Sequence, residues 1–245
     1  MPLIIHADDF GINESVSRCI AECIDRGWVS ETSLMVNMPY ADDAVELARQ
    51  RGFDERVGLH LNLSEGRPLT REILRFPRLC TADGVFNKAF HMRQLTRFIL
   101  SKPERNAIKD EIKAQLEKFM SYGGLMRRLD SHHHVHTDWV VYRELFPLAK
   151  EFGFGGMRLS ATLHKVGLVL ALYKKIFNWQ LRRNFLTRDE FDGFFKRCIH
   201  ESKVGKNVEV MVHPMYSEEG IILDSNKPYS EMMDVFNAAD VDIVC

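Results

Sequence analysis

Short apolar runs separated by longer helical patterns recur along the whole chain, and this alternation restricts the fold more than any other feature. Strands are predicted near Leu3–Ala7, Ser33–Asn37, Val57–Asn62, Arg128–Ser131, Met157–Ser160, Val208–His213 and Val241–Val244. Strands that alternate with helices form parallel sheets, because each helix returns the chain to the same edge. We therefore expect an α/β protein, a distorted or incomplete (β/α) barrel of about seven parallel strands, TIM-barrel-like, rather than a doubly wound open sheet.

The gaps between the strands predict one domain over residues 1–245 that carries two helical insertions. The first insertion lies near residues 64–126 and includes helices near Lys88–Leu100 and Pro103–Tyr122. The second lies near residues 163–202 and separates the fifth and sixth predicted strands. A chain of this length is long enough to bury a substantial core.

Composition narrows the partners and the location. The 33 basic and 34 acidic residues nearly cancel, and no block of like charge indicates a nucleic-acid partner. The five cysteines are odd in number and lack paired spacing, which favours a reducing compartment over a disulfide framework. The first apolar run is too short for a secretory signal. These features predict a cytoplasmic protein.

The most apolar stretch, Val166–Phe177, does not indicate a membrane span. Lys174 and Lys175 interrupt it after too few apolar residues to cross a bilayer. A helix in the core or in a dimer interface is the preferred interpretation, ahead of a helix lying on a surface. A homodimer therefore remains open.

Polar residues stand at the ends of several predicted strands, and it is their number that indicates a site. They are Asp8 and Asp9 after the first strand, Asn37 and His60 at the ends of the second and third, Asp130 and His132 at the fourth, Arg158 in the fifth and His213 at the sixth. Each has a structural explanation by itself, as a helix cap, a core histidine or an ion pair. The carboxyl ends of parallel strands share one face, however, so together these residues predict a site.

The segment DSHHHVH, Asp130 to His136, is the sharpest local signal. Four histidines within five positions are costly to bury unless their ring nitrogens have partners, and neutral imidazole is the commonest metal ligand. A divalent ion held by one carboxylate and two imidazoles, with open positions for water, is typical of a hydrolytic site. The segment alone identifies neither the metal nor which histidines bind it.

Four motifs resemble one known family in order and spacing, across nearly the whole chain. They are HADDFG after the first strand, VGLHLNLSEGRPL at 57–69, LDSHHHVH at 129–136 and VMVHP at 210–214. They are similar to the YdjC/ChbG-type carbohydrate deacetylases. The resemblance implies a distorted (β/α) barrel and metal-dependent removal of acetyl groups from N-acetylated sugars such as chitooligosaccharides.

The resemblance also implies roles for individual residues. Asp9, His60 and His132 match the metal ligands, with magnesium or zinc as the ion, and the choice of His132 among the four histidines rests on the resemblance alone. Asp8 matches the catalytic base, and His213 is similar to the catalytic acid. Because successive residues of a strand point to opposite sides, the adjacent Asp8 and Asp9 are expected to have different partners.

Three further assignments concern the surroundings of these residues. Arg158 is expected to pair with Asp8 and keep it ionised, in a catalytic role. Trp139 and Tyr216 follow site-forming strands and are candidates for stacking on a sugar, although helix packing is the simpler explanation for each. Asn37 is assigned to substrate binding, with a hydrogen bond at the strand end as the alternative.

Two other functions stay open at this point. A metal hydrolase of this fold can cleave another amide or a phosphoester, although a phosphoesterase should present more cations than Arg158 at the strand ends. An inactive sugar-binding protein is the second alternative, but binding alone requires neither a base nor an acid. Which N-acetylated sugar is the substrate also stays open.

Overall fold

Aliphatic runs at the predicted positions form a seven-stranded parallel sheet in the computed structural model, which describes residues 3–88, 100–163, 166–193 and 195–244. The strands are β1 (Leu3–Phe10), β2 (Glu31–Leu34), β3 (Val57–Leu61), β4 (Arg128–Ser131), β5 (Gly156–Met157), β6 (Glu190–Asp192) and β7 (Val208–Val212). Their order in the sheet is β5-β4-β3-β2-β1-β7-β6, and every neighbouring pair is parallel. The predicted α/β class is confirmed.

The two ends of this sheet approach each other. The backbone N–H of Thr162 donates to the carbonyl of Phe191 over 2.9 Å, and that of Met157 donates to Leu186 over 3.1 Å. These bonds join β5 to the segment before β6, and the segment after β5 to β6 itself. The sheet therefore curls into the distorted, incomplete barrel that the sequence predicts.

Two members of the strand set differ from the prediction. β6 was not predicted, because Glu190-Phe191-Asp192 is short and mostly charged and shows no apolar run. The predicted strand at Val241–Val244 is reduced to a single parallel bridge between Leu3 and Ile243. Strand pairing in the folded sheet, rather than local composition, decides both cases.

Seven helices are described in these parts of the chain. They are α1 (Glu14–Asp25), α2 (Ala41–Arg51), α3 (Lys102–Tyr122), α4 (Trp139–Glu151), α5 (Leu168–Asn184), α6 (Phe195–Lys203) and α7 (Tyr229–Ala238). Asn13 caps α1 by accepting from the backbone N–H of Val16. The helix predicted near Lys88–Leu100 falls almost entirely on residues 89–99, outside the described residues. None of the described helices is long and apolar enough to cross a membrane.

Alternation along β1 determines what the barrel interior contains. Leu3, Ile5 and Ala7 are fully buried in the hydrophobic core that the sheet forms with its helices. His6 and Asp8 alternate with them and make side-chain contacts with polar residues of β2 and β4 and with Arg158, just beyond β5. The inner face of this sheet is consequently built from ionisable side chains, which positions the candidate site.

A small antiparallel sheet follows β7 and was not predicted. It consists of β8 (Met215–Tyr216), β9 (Ile222–Asp224) and β10 (Lys227–Pro228). Its Asp224 accepts a hydrogen bond of 2.7 Å from the backbone N–H of His213. This contact holds the segment just after β7 at the carboxyl edge of the large sheet.

Candidate active site

Three side chains from three different strand ends converge on one point. Asp9 Oδ1 lies 3.2 Å from His60 Nε2 and 2.8 Å from His132 Nδ1. One ligand atom from each of the three lies within 4.8 Å of the others. The structure thus brings together the three residues that the family resemblance assigns to a metal, in an arrangement that could hold a divalent cation.

Asp9 reaches this point through a local break in β1. Its φ is 69°, in the left-handed region that few residues except glycine and asparagine or aspartate adopt without strain. The register between β1 and β2 shifts between Ala7 and Phe10. The bulge turns Asp9 away from the strict alternation that puts Asp8 inside the barrel, so the adjacent carboxylates have different partners, as predicted.

His60 is fixed by its other ring nitrogen. Nδ1 lies 2.7 Å from Asp130 Oδ1 and 3.0 Å from Ser33 Oγ. The buried Nε2 faces Asp9 Oδ1 over 3.2 Å and has no other partner among the described residues. A carboxylate that orients Nδ1–H and leaves Nε2 free to donate its lone pair is the usual support for a metal-binding histidine.

In the metal-free protein the charges around these groups favour their ionised forms, so a cation that binds His60 must displace the proton from its Nε2. Burial lowers the pKa of His60, but the carboxylates of Asp130 and Asp8 outweigh it and raise the pKa to about 10. Burial alone favours neutral Asp9, whereas hydrogen bonds with His132 and His60 hold the pKa of Asp9 well below its ordinary value. The cluster therefore carries a carboxylate that a cation can share.

Replacing Asp130 with asparagine tests this support. We expect metal affinity to fall about tenfold to a hundredfold, because the amide holds His60 Nδ1–H less strongly than a carboxylate does. Competition with a chromogenic chelator measures the affinity, and thermal unfolding verifies that the variant is folded. The exposed Asp83→Asn is the control and should bind metal like the parent. Unchanged affinity in Asp130→Asn would show that Asp130 does not support a ligand.

Asp8 is paired with Arg158, as the sequence predicts. Both carboxylate oxygens of Asp8 accept from the guanidinium, over 2.9 Å from Nη1 and 2.7 Å from Nη2. Burial opposes ionisation, but the charge of Arg158, the charge of His60 and the hydrogen bonds from Arg158 together outweigh it and hold the pKa of Asp8 below its usual range. Arg158 is itself 0% exposed. Asp8 is therefore an ionised carboxylate with fixed orientation.

Arg158 connects Asp8 to a buried ionic network that sequence reasoning missed. Its Nη2 lies 2.7 Å from Asp130 Oδ2, and its Nε donates to Glu209 Oε1 over 2.5 Å. Glu209 also pairs with Arg128, whose Nε lies 3.3 Å from Glu31 Oε1. The signal was present as polar residues two apart within the strands, such as Arg128 and Asp130 in β4.

His6 completes this network inside the barrel. Its Nδ1 lies 3.1 Å from Glu31 Oε1, and its Nε2 lies 3.1 Å from Asp130 Oδ2 and 3.0 Å from Ser33 Oγ. Burial and the charge of Arg158 lower the pKa of His6, but the charge of Asp130 and hydrogen bonds with Asp130 and Glu31 raise it to about 9. A charged His6 therefore adds to the cations that neutralise the buried carboxylates.

The other three histidines of the DSHHHVH segment have separate surroundings. His133 Nδ1 lies 2.9 Å from Ser64 Oγ, and His136 is buried with Nδ1 2.5 Å from Ser131 Oγ. The His134 ring packs edge-on against Phe191. His133 and His134 both have positive φ, 50° and 55°, which shows that this loop holds a strained backbone. Of the four, only His132 has a described contact with Asp9.

The structure places His213 at the same edge as the cluster. It leaves β7 directly after Val212, whose register partner is Ala7, and its backbone is held by Asp224. His213 is therefore one residue beyond the position beside Ala7, next to the Asp8-Asp9 pair in the sheet. Its assignment as an acid stays a prediction.

The three residues assigned to the substrate have different environments. Asn37 donates to the carbonyls of Glu65 and Arg67, over 3.1 Å and 3.0 Å, so it holds a loop in place. The Tyr216 hydroxyl donates to Glu22 of α1 over 2.6 Å. Trp139 begins α4 and is 39% exposed. The structure thus supports the strand-end alternative for Asn37, and substrate roles for all three stay predictions.

Comparison with known proteins gives the family. The profile of the YdjC-like protein family matches residues 2–244. The chain belongs to the YdjC-like family. The resemblance found in the four sequence motifs is confirmed by this match, which covers nearly the full length rather than the motifs alone.

Relatives within the YdjC-like family include several named carbohydrate deacetylases. The Vibrio cholerae O1 (strain M66-2) protein is 38% identical over 219 residues, covering 88% of this chain and 79% of its own. The Vibrio parahaemolyticus O3:K6 protein is 32% identical over 232 residues, with 92% and 82% covered. The Clostridium beijerinckii protein is 29% identical over 255 residues, with 100% and 94% covered.

A solved structure agrees with the YdjC-like fold described above. It is an Enterococcus faecalis V583 protein named for cellobiose-phosphate cleavage, with a TM-score of 0.74 and 22% identity. The match covers 99% of this chain and 96% of the other. Identity at this level speaks for the shared distorted barrel and not for a shared reaction.

Proposed function

We propose that this YdjC-like protein is a metal-dependent hydrolase that removes acetyl groups from N-acetylated sugars. The observation that carries the proposal is the convergence of Asp9, His60 and His132 beside the ionised Asp8. A chitooligosaccharide or a related glycan is the proposed substrate. The relatives named carbohydrate deacetylases support this choice of reaction.

The donor set fits a divalent metal. One carboxylate and two imidazoles meet, and the buried His60 Nε2 has no described partner besides Asp9, with which it would share the cation. When bound, a divalent ion supplies a water of lowered pKa and polarises the acetamide carbonyl. Two imidazoles suit zinc, and magnesium is the alternative that the family resemblance permits. We propose Asp9, His60 and His132 as the ligands.

Asp8 and His213 carry the proton transfers in this proposal. Asp8 is ionised and held by Arg158, so its carboxylate is ready to accept a proton from the attacking water. His213 donates a proton to the departing nitrogen, without which the C–N bond breaks poorly. Arg158 acts through Asp8, by fixing its charge and orientation.

The proposed substrate contacts are Trp139, Tyr216 and Asn37. Trp139 has the most exposed side chain of the three and is the best placed to stack on a sugar ring. Asn37 acts through the loop that it holds, and Tyr216 through the face of its ring, since its hydroxyl donates to Glu22.

The phosphoester alternative is disfavoured by the pairing of Arg158. Its guanidinium contacts the carboxylates of Asp8, Asp130 and Glu209, and it is fully buried. A cation neutralised by three carboxylates has little capacity left to bind a phosphate dianion. Amide hydrolysis therefore stays the preferred reaction. Separately, the cytoplasmic location predicted from the cysteine content stays a proposal.

Acetate release from a panel of N-acetylated mono- and oligosaccharides tests the function. The protein is stripped of metal and then supplied separately with zinc or magnesium. We expect acetate and free amine in equal amounts with metal, and neither without it. Release of phosphate from phosphorylated sugars in the same assay would indicate the alternative hydrolase. Saturable sugar binding without any product would indicate a binding protein.

A further inference from the structure

Helix α5 presents an apolar stripe to the surroundings of the molecule. Leu168, Leu172, Ile176 and Trp179 follow one another at three- and four-residue spacing and are 87%, 57%, 54% and 55% exposed. Val169 beside them is also exposed. Residues at this spacing lie on one face of a helix, so they form a continuous patch rather than scattered apolar side chains.

The opposite face attaches α5 to the protein. Phe177 and Leu181 are buried in the core. Tyr173 donates from its hydroxyl to the carbonyl of Thr137 over 2.5 Å, and Lys174 donates to Ala161 over 3.1 Å. Thr137 ends the histidine-rich loop that carries His132, so α5 is anchored beside the candidate active site while its apolar stripe faces outward.

The charged residues within this segment of the sequence all have one sign. Residues 163–188 contain six lysines and arginines and no aspartate or glutamate, although basic and acidic residues are nearly equal in the whole chain. Lys175 and Arg182 are exposed on α5, and the guanidinium of Arg183 lies 4.8 Å from the centre of the Trp179 ring. The patch therefore combines apolar and aromatic surface with an excess of positive charge.

We infer that α5 docks this protein on the surface of an anionic lipid bilayer. A helix with an apolar face, tryptophan and flanking cations lies in the interface of such a membrane, with the apolar side chains among the acyl chains and the cations at the headgroups. The stripe needs an apolar partner and the cations need anions, and an anionic bilayer supplies both.

A second copy of this chain fits the same surface less well. Two α5 helices packed face to face would bury Lys175, which lies at helical spacing between Leu172 and Trp179, and residues 163–188 contain no carboxylate to neutralise it. Nucleic acid would satisfy the charges and leave the apolar stripe uncovered. The apolar stripe together with the flanking cations therefore favours an anionic bilayer over a second copy and over nucleic acid.

Flotation with vesicles tests the docking. The full chain is mixed with vesicles of phosphatidylcholine and phosphatidylglycerol in equal parts, or of phosphatidylcholine alone. One double variant breaks the stripe, Leu172→Glu with Ile176→Glu, and another reverses charge, Lys175→Glu with Arg182→Glu. The matched control is Lys203→Glu with Val204→Glu, which makes the same types of change at exposed positions at the end of α6 and just after it.

The wild type and the control should float with the anionic vesicles and not with the neutral ones, and each α5 variant should bind about tenfold more weakly or worse. Circular dichroism and thermal unfolding verify that the variants fold. Absence of vesicle binding by the folded wild type, or undiminished binding by both folded α5 variants, would overturn the inference. A wild-type dimer that the stripe variants split, without lipid binding, would identify a second copy as the occupant instead. Acetate release from a soluble sugar is unaffected by these substitutions, so docking and the proposed reaction can fail independently.

Discussion

Replacing Asp8 and Asp9 with asparagine, one at a time, is expected to remove catalysis in two distinguishable ways. Asp8→Asn should lower acetate release about a hundredfold to ten-thousandfold while metal content is retained, because an amide cannot accept the proton. Asp9→Asn should lower both activity and metal affinity, because it removes the only carboxylate of the proposed ligand set. Asparagine tolerates the left-handed backbone at position 9, so the second change deletes charge without adding strain.

Metal analysis after dialysis and initial rates at saturating metal separate the two effects. The matched control is Asp83→Asn, which changes an exposed aspartate distant in sequence from the HADDFG motif. It should alter neither the metal content nor the initial rate. Full activity in Asp8→Asn would remove Asp8 as the base. Retained metal affinity in Asp9→Asn would show that the cation binds elsewhere, and the His6, Asp8 and Asp130 cluster would then be the next candidate.

Replacing Arg158 with methionine is expected to be the most destabilising single change in the barrel interior. The substitution conserves much of the volume but leaves Asp8, Asp130 and Glu209 buried without their shared cation. Breaking a buried ion pair by removing one partner typically costs about 3–5 kcal/mol of unfolding free energy. Urea unfolding at neutral pH measures the loss.

The pH dependence of this loss has a definite sign. Arg158 is the strongest influence that lowers the pKa values of Asp8 and Asp130 in the folded protein, so its contribution is present above the ordinary carboxyl pKa of about 4 and is lost as the pH falls below it. The stability difference between parent and variant should therefore shrink in acid. Arg18→Met, which removes an exposed pair with Glu14, is the control and should cost less than about 1 kcal/mol. An equally small loss in Arg158→Met would show that the interior network does not stabilise the fold.

The sequence was sufficient for the class of fold and for the face on which the site lies. Apolar runs predict most strands, and polar residues at their carboxyl ends, such as His60 and Asp9, indicate where the chain brings chemistry together. β6 could not be found this way, because Glu190 and Asp192 obtain their strand conformation from pairing with β7 rather than from their own preference.

Sequence patterns could not predict the detailed geometry of the candidate site, for physical reasons. The left-handed backbone at Asp9 depends on the bulge between β1 and β2, which no composition signal marks. Which histidine meets Asp9 depends on the kinked loop after β4, where His133 and His134 turn away. Long-range ion pairs such as Arg158 with Glu209, 51 residues apart, are set by the closure of the sheet.

Helix α5 shows a different limit of the sequence. Its apolar composition favoured a core or dimer helix, yet only one face is buried, around Phe177 and Leu181. The core interpretation is wrong for the opposite face, because α5 packs against the protein along one side only and the apolar side chains on its other side are exposed. A hydrophobic count alone does not separate a buried helix from one that presents apolar residues outward.

The charges of this protein exist in two environments that respond differently to ionic strength. The chain of ion pairs from Asp8 through Arg158 and Glu209 is buried, where dissolved ions do not enter. Lys175, Arg182 and Arg183 of α5 are exposed, and salt screens exposed charges over a distance of about 8–10 Å at ordinary concentrations. A rise in salt should therefore weaken the proposed attraction of α5 to an anionic bilayer while leaving the geometry of the candidate site intact. Binding to the bilayer and the proposed reaction can then be adjusted separately in the same molecule.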